Sequence, residues 1–188
     1  MTAIIGEIFD LFSRFGPERY GEDLSLEEHM LQSAALVQSL GAPRSLVVAA
    51  LLHDIGYFLQ TDVLRTGAAA PANPRNDIAH ETLGATWLSR AFDEDVTAPI
   101  ALHVQAKRYL CAVEPGYFGQ LSQASRLSLA VQGGVMSEAE VAAFAKEPAF
   151  EAALILRRCD DRGKDRSVHT QGIERFRMLL TESLRQPN

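Results

Sequence analysis

The sequence predicts an all-α fold. Apolar residues recur at the i, i+3 and i+4 spacing of a helix along nearly all of the 188 residues. Two capping boxes, Ser25 with Glu28 and Ser137 with Glu140, are typical of helix starts. No run of alternating apolar and polar residues indicates a strand, so helices should build the whole core.

The predicted helices are bounded by capping residues and by glycine. In the first part of the chain they cover residues 4–12 (ending near Gly16), 25–40 (ending at Gly41) and 46–53 (closing at Gly56). In the second part they cover 78–92, about 95–110, a segment after Leu121, a segment from Ser137, 150–158 and 173–184. All of them should belong to one domain that spans residues 1–188.

Residues 60–77 differ from the rest because they contain glycine, two prolines and little periodicity. We predict a long loop there. Loops of this length inside compact domains are often functional lids, although a passive surface connection is an equally good interpretation.

Composition limits the classes of function. The formal net charge of −6 argues against a nucleic-acid binder that relies on broad phosphate attraction. The two cysteines form no CxxC pair, which fits a reducing compartment. The N-terminus lacks the basic region of a signal peptide, and no uncharged apolar stretch is long enough to span a bilayer. We therefore expect a cytoplasmic protein without membrane contact.

Histidine and aspartate interrupt apolar helical sequence at several points. A lone histidine on such a face is more often a hydrogen-bonded core residue than a ligand. Here His53 and Asp54 adjoin within ALLHDIGYF, and three further histidines lie on predicted helices: His29, His80 and His103. Three or four imidazoles with two carboxylates exceed what one tetrahedral ion needs, and one carboxylate can bridge two ions. A dinuclear metal site in the core of a helical bundle is therefore predicted.

The order of His29, the His53-Asp54 pair and a distant Asp160 resembles the H…HD…D signature of the HD-domain superfamily. The added His80 and His103 resemble its two-metal variant. More specifically, the chain is similar to the HD-domain mixed-valent diiron oxygenases that act on hydroxylated organophosphonates. The similar stretches lie between about residues 20 and 165 and are EEHMLQSA, AALLHDIGYF, HVQAKRYL, LSQASR, QGGVM and RRCDDRGK.

This resemblance implies a ligand set. One iron would take His29, His53 and Asp160, the other would take His80 and His103, and Asp54 would bridge them. Spacing alone does not choose between Asp160 and its neighbour Asp161. The family pattern favours Asp160 and leaves Asp161 as a solvated or supporting carboxylate.

The resemblance also implies residues that bind the substrate's phosphonate. Lys107 lies one helical turn after His103, and Arg157 precedes Asp160 by three residues. Both resemble cations that hold the phosphonate, Ser125 resembles a hydroxyl donor to the same group, and Asp54, Lys107 and Arg157 would be the catalytic residues. Surface charge with a buried stem is the alternative for Lys107 and Arg157.

Three further residues concern the substrate's nitrogen group. Tyr20 and Glu22 in RYGEDL resemble a segment that contacts iron and an ammonium, although a polar turn explains them equally well. Tyr57 stands where family members that act on 2-amino-1-hydroxyethylphosphonate carry histidine. An aromatic face can favour a quaternary ammonium, so the N-trimethyl analogue is an alternative substrate.

The implied reaction is oxidative cleavage of the carbon–phosphorus bond of a small 1-hydroxyphosphonate. It would use molecular oxygen and two irons as a mixed-valent Fe(II)/Fe(III) pair, and it would release phosphate with glycine or a betaine. The alternative is an HD-type phosphohydrolase acting on a nucleotide or another phosphoester. A degenerate HD module that only binds a ligand is disfavoured, because all the expected ligands are present.

Overall fold

The computed structural model describes residues 2–19, 23–66 and 79–186, and these ranges contain helices and no strand. The all-α prediction is therefore confirmed. The α-helices are α1 (Thr2–Phe15), α2 (Leu26–Ser39), α3 (Arg44–Leu52), α4 (Ile55–Thr66), α5 (His80–Leu88), α6 (Glu94–Val113), α7 (Tyr117–Gln120), α8 (Gln123–Val131), α9 (Glu138–Phe144), α10 (Phe150–Arg162) and α11 (Arg177–Glu182). A 3-10 helix, Ile173–Phe176, precedes α11.

Both predicted capping boxes are present. The Ser25 hydroxyl accepts the backbone N–H of Glu28, and the Glu28 carboxylate accepts the backbone N–H of Ser25 at 3.0 Å. The pair Ser137 and Glu140 makes the same reciprocal bonds at the start of α9. These bonds satisfy N–H groups that a helix start leaves without partners, and they fix where α2 and α9 begin.

Helix α3 lies at the centre of the fold. Every residue from Leu46 to Leu52 is buried, as expected of a helix that is apolar on all faces. It packs against α2, α6 and α10, while α5 packs against α4 and α6. The segment Arg44–Val63, which spans α3 and α4, has the length and composition to cross a membrane, but 67% of its most apolar window is buried inside the protein. That burial is typical of a core helix.

Two predicted boundaries were wrong. Helix α3 ends at Leu52 and a turn at residues 53–54 precedes α4, so Gly56 lies inside the next helix and closes nothing. Helix α4 then continues to Thr66, so residues 60–66 of the predicted loop are helical. Asp62 in this part pairs with Arg14 of α1, a long-range contact that the local composition did not reveal. The rest of the predicted loop, from residue 67 to 77, lies outside the described residues.

Candidate metal centre and anion pocket

The structure brings all six predicted ligands together from five parts of the chain. His29 comes from α2, the His53-Asp54 pair from the turn between α3 and α4, and the others from the start of α5, the middle of α6 and the last turns of α10. All six side chains are buried. Buried histidine and aspartate need partners, and these residues have one another: His29, His53, Asp54, His80, His103 and Asp160.

Asp54 lies at the centre of this cluster. Its Oδ2 is 3.6 Å from Nε2 of His29 and 3.4 Å from Nε2 of His53. Its Oδ1 is 3.2 Å from Nε2 of His80 and 3.8 Å from Nε2 of His103. Each carboxylate oxygen therefore faces a different pair of imidazoles, which is the arrangement a bridging ligand needs.

The potential ligands form two groups in which the donor atoms lie within 4.8 Å of one another. The first triad is His29, His53 and Asp160, and the second triad is Asp54, His80 and His103. Asp161 lies in neither triad. Its carboxylate instead accepts hydrogen bonds from Arg157 and Tyr117.

The hydrogen bonds of the imidazoles determine which ring nitrogen is available. Nδ1 of His29, His53 and His103 lies 2.8–2.9 Å from the carbonyl oxygens of Gly163, Ala50 and Ile100 respectively. A carbonyl oxygen only accepts, so these Nδ1 atoms carry the proton and Nε2 keeps its lone pair. Nδ1 of His80 lies 3.4 Å from the Glu81 carboxylate, also an acceptor. Such partners orient histidine ligands at metal sites.

These features fit a metal centre. Nε2 of His80 and Nε2 of His103 are only 3.1 Å apart, and both face Oδ1 of Asp54. Nε2 of His53 is buried without a hydrogen-bond partner. Burial lowers the pKa of His53 and, still further, that of His103, which favours the neutral imidazole that binds metals. Cations between these nitrogens and the aspartates would satisfy the whole set.

Two glycines permit the close approaches that the cluster requires. A Cβ on Gly56 would lie 1.9 Å from the carbonyl oxygen of His80, so α4 and α5 touch there through bare backbone. A Cβ on Gly163 would lie 2.5 Å from Oγ of Ser33. Gly163 therefore packs closely against α2, and its carbonyl oxygen can accept from His29.

A cavity of about 100 Å³ adjoins the cluster. The predicted residues Lys107, Ser125 and Arg157 all line it, and all three are buried. Nζ of Lys107 donates to Oγ of Ser128 at 2.8 Å. Buried ammonium and hydroxyl groups around a small cavity are the donors that an anion-binding site requires.

Lys164 also lines this cavity, and sequence reasoning missed it. Its Nζ donates to Oγ of Ser125 at 2.9 Å and lies 3.9 Å from Oδ1 of Asp160. A signal was present, because Lys164 follows Asp160 by four residues as Lys107 follows His103. The charged stretch around it resembled ordinary surface sequence.

The guanidinium of Arg157 lies between two carboxylates. Its Nη1 is 2.6 Å from Oδ2 of Asp160, and its Nε donates to Oδ2 of Asp161 at 3.1 Å. Burial raises the pKa of Asp160, but the charge of Arg157, together with the neighbouring histidines and Lys164, outweighs burial and holds that pKa well below its usual range. Asp160 is thus kept as the charged form, which can bind a metal.

Of the three residues predicted to contact the substrate's nitrogen group, the structure describes one. Tyr57 lines the cavity, and its ring stacks on His80. Tyr20 and Glu22 lie outside the described residues. Arg108 and Arg158, the sequence neighbours of Lys107 and Arg157, pair instead with Glu140 and Glu114.

Comparisons with known proteins agree with this geometry. The family model of the HD domain matches residues 26–131, so the chain is an HD-domain protein. It is 39% identical over 172 residues to the hydroxymethylphosphonate dioxygenase of Gimesia maris, covering 92% of this chain and 84% of that protein. It is 41% identical over 181 residues to the [1-hydroxy-2-(trimethylamino)ethyl]phosphonate dioxygenase (glycine-betaine-forming) of Leisingera caerulea, and this match covers 96% of this chain and 88% of that protein. An uncharacterised protein of Acanthamoeba polyphaga mimivirus is 34% identical over 184 residues, covering 96% and 81%. The chain belongs to the family of HD-domain phosphonate dioxygenases and is an enzyme of that family.

Proposed function

We propose that this enzyme cleaves the carbon–phosphorus bond of a small 1-hydroxyphosphonate with two iron ions and molecular oxygen. The observation that carries the proposal is the position of Asp54. Each of its oxygens faces one pair of imidazoles, and the centre built around it opens into a small cavity lined by lysine, arginine and serine. A metal pair beside an anion site suits a substrate whose hydroxyl and phosphonate share one carbon.

The proposed roles of the residues follow from their places around the cavity. The first and second triads would hold the two irons, which when bound would supply Lewis-acid activation of the substrate hydroxyl and electron transfer with oxygen. Lys107, Ser125 and Arg157 would bind the phosphonate oxygens, and Lys164 would add a further cation beside them. Holding the phosphonate at a fixed distance from the metals orients the adjacent C–H and C–P bonds and leaves little room for water.

The proposed reaction balances without a further reductant. A 1-hydroxyphosphonate and one O₂ contain the atoms of one carboxylic acid and one phosphate. The C–H and C–P bonds are broken, both oxygen atoms enter the products, and the electrons removed from the substrate reduce the oxygen. Hydroxymethylphosphonate would give formate, and the aminoethyl compounds would give glycine or its betaine.

Among these substrates we propose the N-trimethyl compound, 1-hydroxy-2-(trimethylamino)ethylphosphonate. Tyr57 supports it because a ring beside the metal cluster can attract a quaternary ammonium. The similarity to the Leisingera caerulea enzyme supports the same choice.

The test is anaerobic iron loading followed by oxygen uptake and phosphate release. The panel contains hydroxymethylphosphonate, 2-amino-1-hydroxyethylphosphonate, its N-trimethyl analogue and a set of nucleotides. We expect one phosphate per oxygen from a hydroxyphosphonate, fastest for the N-trimethyl compound. Phosphate release from a nucleotide without oxygen uptake would instead establish a phosphohydrolase.

A further inference from the structure

Arg157 is held on both sides by carboxylates that differ in function. Asp160 belongs to the first triad, whereas Asp161 belongs to neither. The guanidinium makes two contacts to Asp161, from Nε to Oδ2 at 3.1 Å and from Nη2 to Oδ1, and one from Nη1 to Oδ2 of Asp160 at 2.6 Å. A planar guanidinium has a fixed fork of donors, so the paired contact with Asp161 determines where Nη1 points.

Tyr117 extends this arrangement away from the metal cluster. It is the first residue of α7, it is 4% exposed, and its hydroxyl donates to Oδ2 of Asp161. Asp161 thus accepts three hydrogen bonds from two residues, which fixes its orientation. A continuous series of contacts runs from Tyr117 through Asp161 and Arg157 to Asp160.

This series leaves the two oxygens of Asp160 in different states. Oδ2 forms an ion pair with Nη1 of Arg157 at 2.6 Å and lies 3.8 Å from Nε2 of His53. Oδ1 lies 3.3 Å from Nε2 of His29. The position of Arg157 therefore sets how the Asp160 carboxylate is turned toward the first triad. The second triad contains none of these residues.

We propose that Asp161 and Tyr117 are positioning residues for the first triad, because they hold Arg157 against Oδ2 of Asp160 and so fix the orientation in which the Asp160 carboxylate would bind a metal ion. The proposal rests on the metal centre of the proposed function. Asp161 has a second effect, since its charge offsets the Arg157 cation. Without that charge, the Arg157 cation would neutralise more of the Asp160 charge and would repel a nearby metal ion more strongly.

The test uses cobalt(II), whose visible absorption reports its ligands, in two single-site backgrounds under anaerobic conditions. His80→Ala retains the first triad, and His29→Ala retains the second. Asp161→Asn and Tyr117→Phe are placed in each background. Tyr109→Phe is the matched control, because the Tyr109 ring packs against the rings of Phe144 and Phe150.

In the His80→Ala background we expect Asp161→Asn to raise the cobalt Kd about 10- to 100-fold, the usual effect of losing a partner that orients a ligand. Tyr117→Phe removes one hydrogen bond to the Asp161 carboxylate but leaves that carboxylate in place, so it should raise the Kd by less, about 2- to 10-fold. Asp161→Asn and Tyr117→Phe should also shift the cobalt spectrum. Tyr109→Phe should change neither the cobalt Kd nor the spectrum. In the His29→Ala background all three variants should leave the Kd within about twofold of its starting value, because the second triad contains none of the residues in this series of contacts.

The outcomes separate the proposals. Equal changes of the cobalt Kd in both backgrounds, or an unchanged cobalt Kd in the His80→Ala background, would overturn the positioning role. If Asp161→Asn does not fold, as judged by thermal unfolding without metal, Tyr117→Phe decides alone. Absence of cobalt binding to the unsubstituted protein would refute the metal centre and this inference together. If the variants weaken cobalt binding in the His80→Ala background alone, but the protein cleaves no hydroxyphosphonate, only the proposed function is refuted.

Discussion

The ring of Tyr57 lies nearly parallel to the imidazole of His80, with centroids 4.1 Å apart and an angle of 13° between the planes. Tyr57 therefore contacts a member of the second triad and also lines the cavity. One face of its ring is covered by the imidazole, so a substrate cation can meet only the other face or the edge. Under the proposed function, this contact would link recognition of the substrate's nitrogen group to the orientation of a candidate metal ligand.

Replacing Tyr57 should change the preference between amine substituents. A cation–π contact contributes about 0.5–2 kcal/mol, so Tyr57→His should move the ratio of kcat/KM values toward 2-amino-1-hydroxyethylphosphonate, against its N-trimethyl analogue, by roughly 2- to 30-fold. Tyr57→Phe keeps the aromatic face and should leave the ratio within about twofold. Competition between the two substrates measures the ratio directly. An unchanged ratio in Tyr57→His would mean that the ring does not recognise the nitrogen group.

The reconstituted protein should contain two iron ions per chain, because its ligands form two triads around Asp54. His80→Ala removes a nitrogen from the second triad alone and should reduce the content to one iron while the helical fold persists. His169→Ala is the matched control, since His169 is exposed. Elemental analysis measures the iron content, and circular dichroism measures the helical content. An iron content that never exceeds one per chain in unsubstituted protein would exclude a dinuclear centre.

The two lysines of the cavity should contribute to substrate binding. Charge-assisted hydrogen bonds are typically worth about 1.5–3 kcal/mol, so Lys107→Ala should lower kcat/KM by roughly 10- to 150-fold. Lys164→Ala should have a smaller effect, since Lys164 is the more exposed of the two. Exposed Lys146 provides the control variant, Lys146→Ala. Initial rates and inhibition by inorganic phosphate are measured for all three variants. If Lys107→Ala has the same kcat/KM as the control, Lys107 does not contribute to substrate binding.

Much of the fold could be predicted, because helix spacing and capping are local properties. The pair His53-Asp54 stood out for the same reason, since its polar side chains interrupt an apolar run. The full ligand set, with Asp160 and not Asp161, depended on the family resemblance. Contacts between distant helices leave no such local pattern. The approach of Asp161 to Tyr117 joins residues 44 positions apart, and the turn at residues 53–54 divides a run that is apolar on both sides. Neither could be inferred from periodicity, which identifies the faces of a helix but not their partners.

The last prediction concerns the backbone contact that positions His80. Gly56 lies so close to the carbonyl oxygen of His80 that an added Cβ would lie 1.9 Å away. That atom is backbone, so Gly56→Ala must push α4 and α5 apart and displace His80 from Asp54. Overpacking of this kind typically costs about 1–3 kcal/mol, and the displacement should also weaken metal binding by the second triad.

Gly6→Ala is the control for this change, because Gly6 lies in α1 with open space around the position of its Cβ. There the better helix propensity of alanine should raise stability, by up to about 1 kcal/mol. Thermal unfolding and iron content are measured for both variants. We expect Gly56→Ala to unfold at lower temperature and to bind less than two irons per chain, while Gly6→Ala keeps both irons. A Gly56→Ala protein with full iron content and unchanged stability would mean that α4 and α5 can separate without moving His80, and that this glycine is not needed for the metal centre.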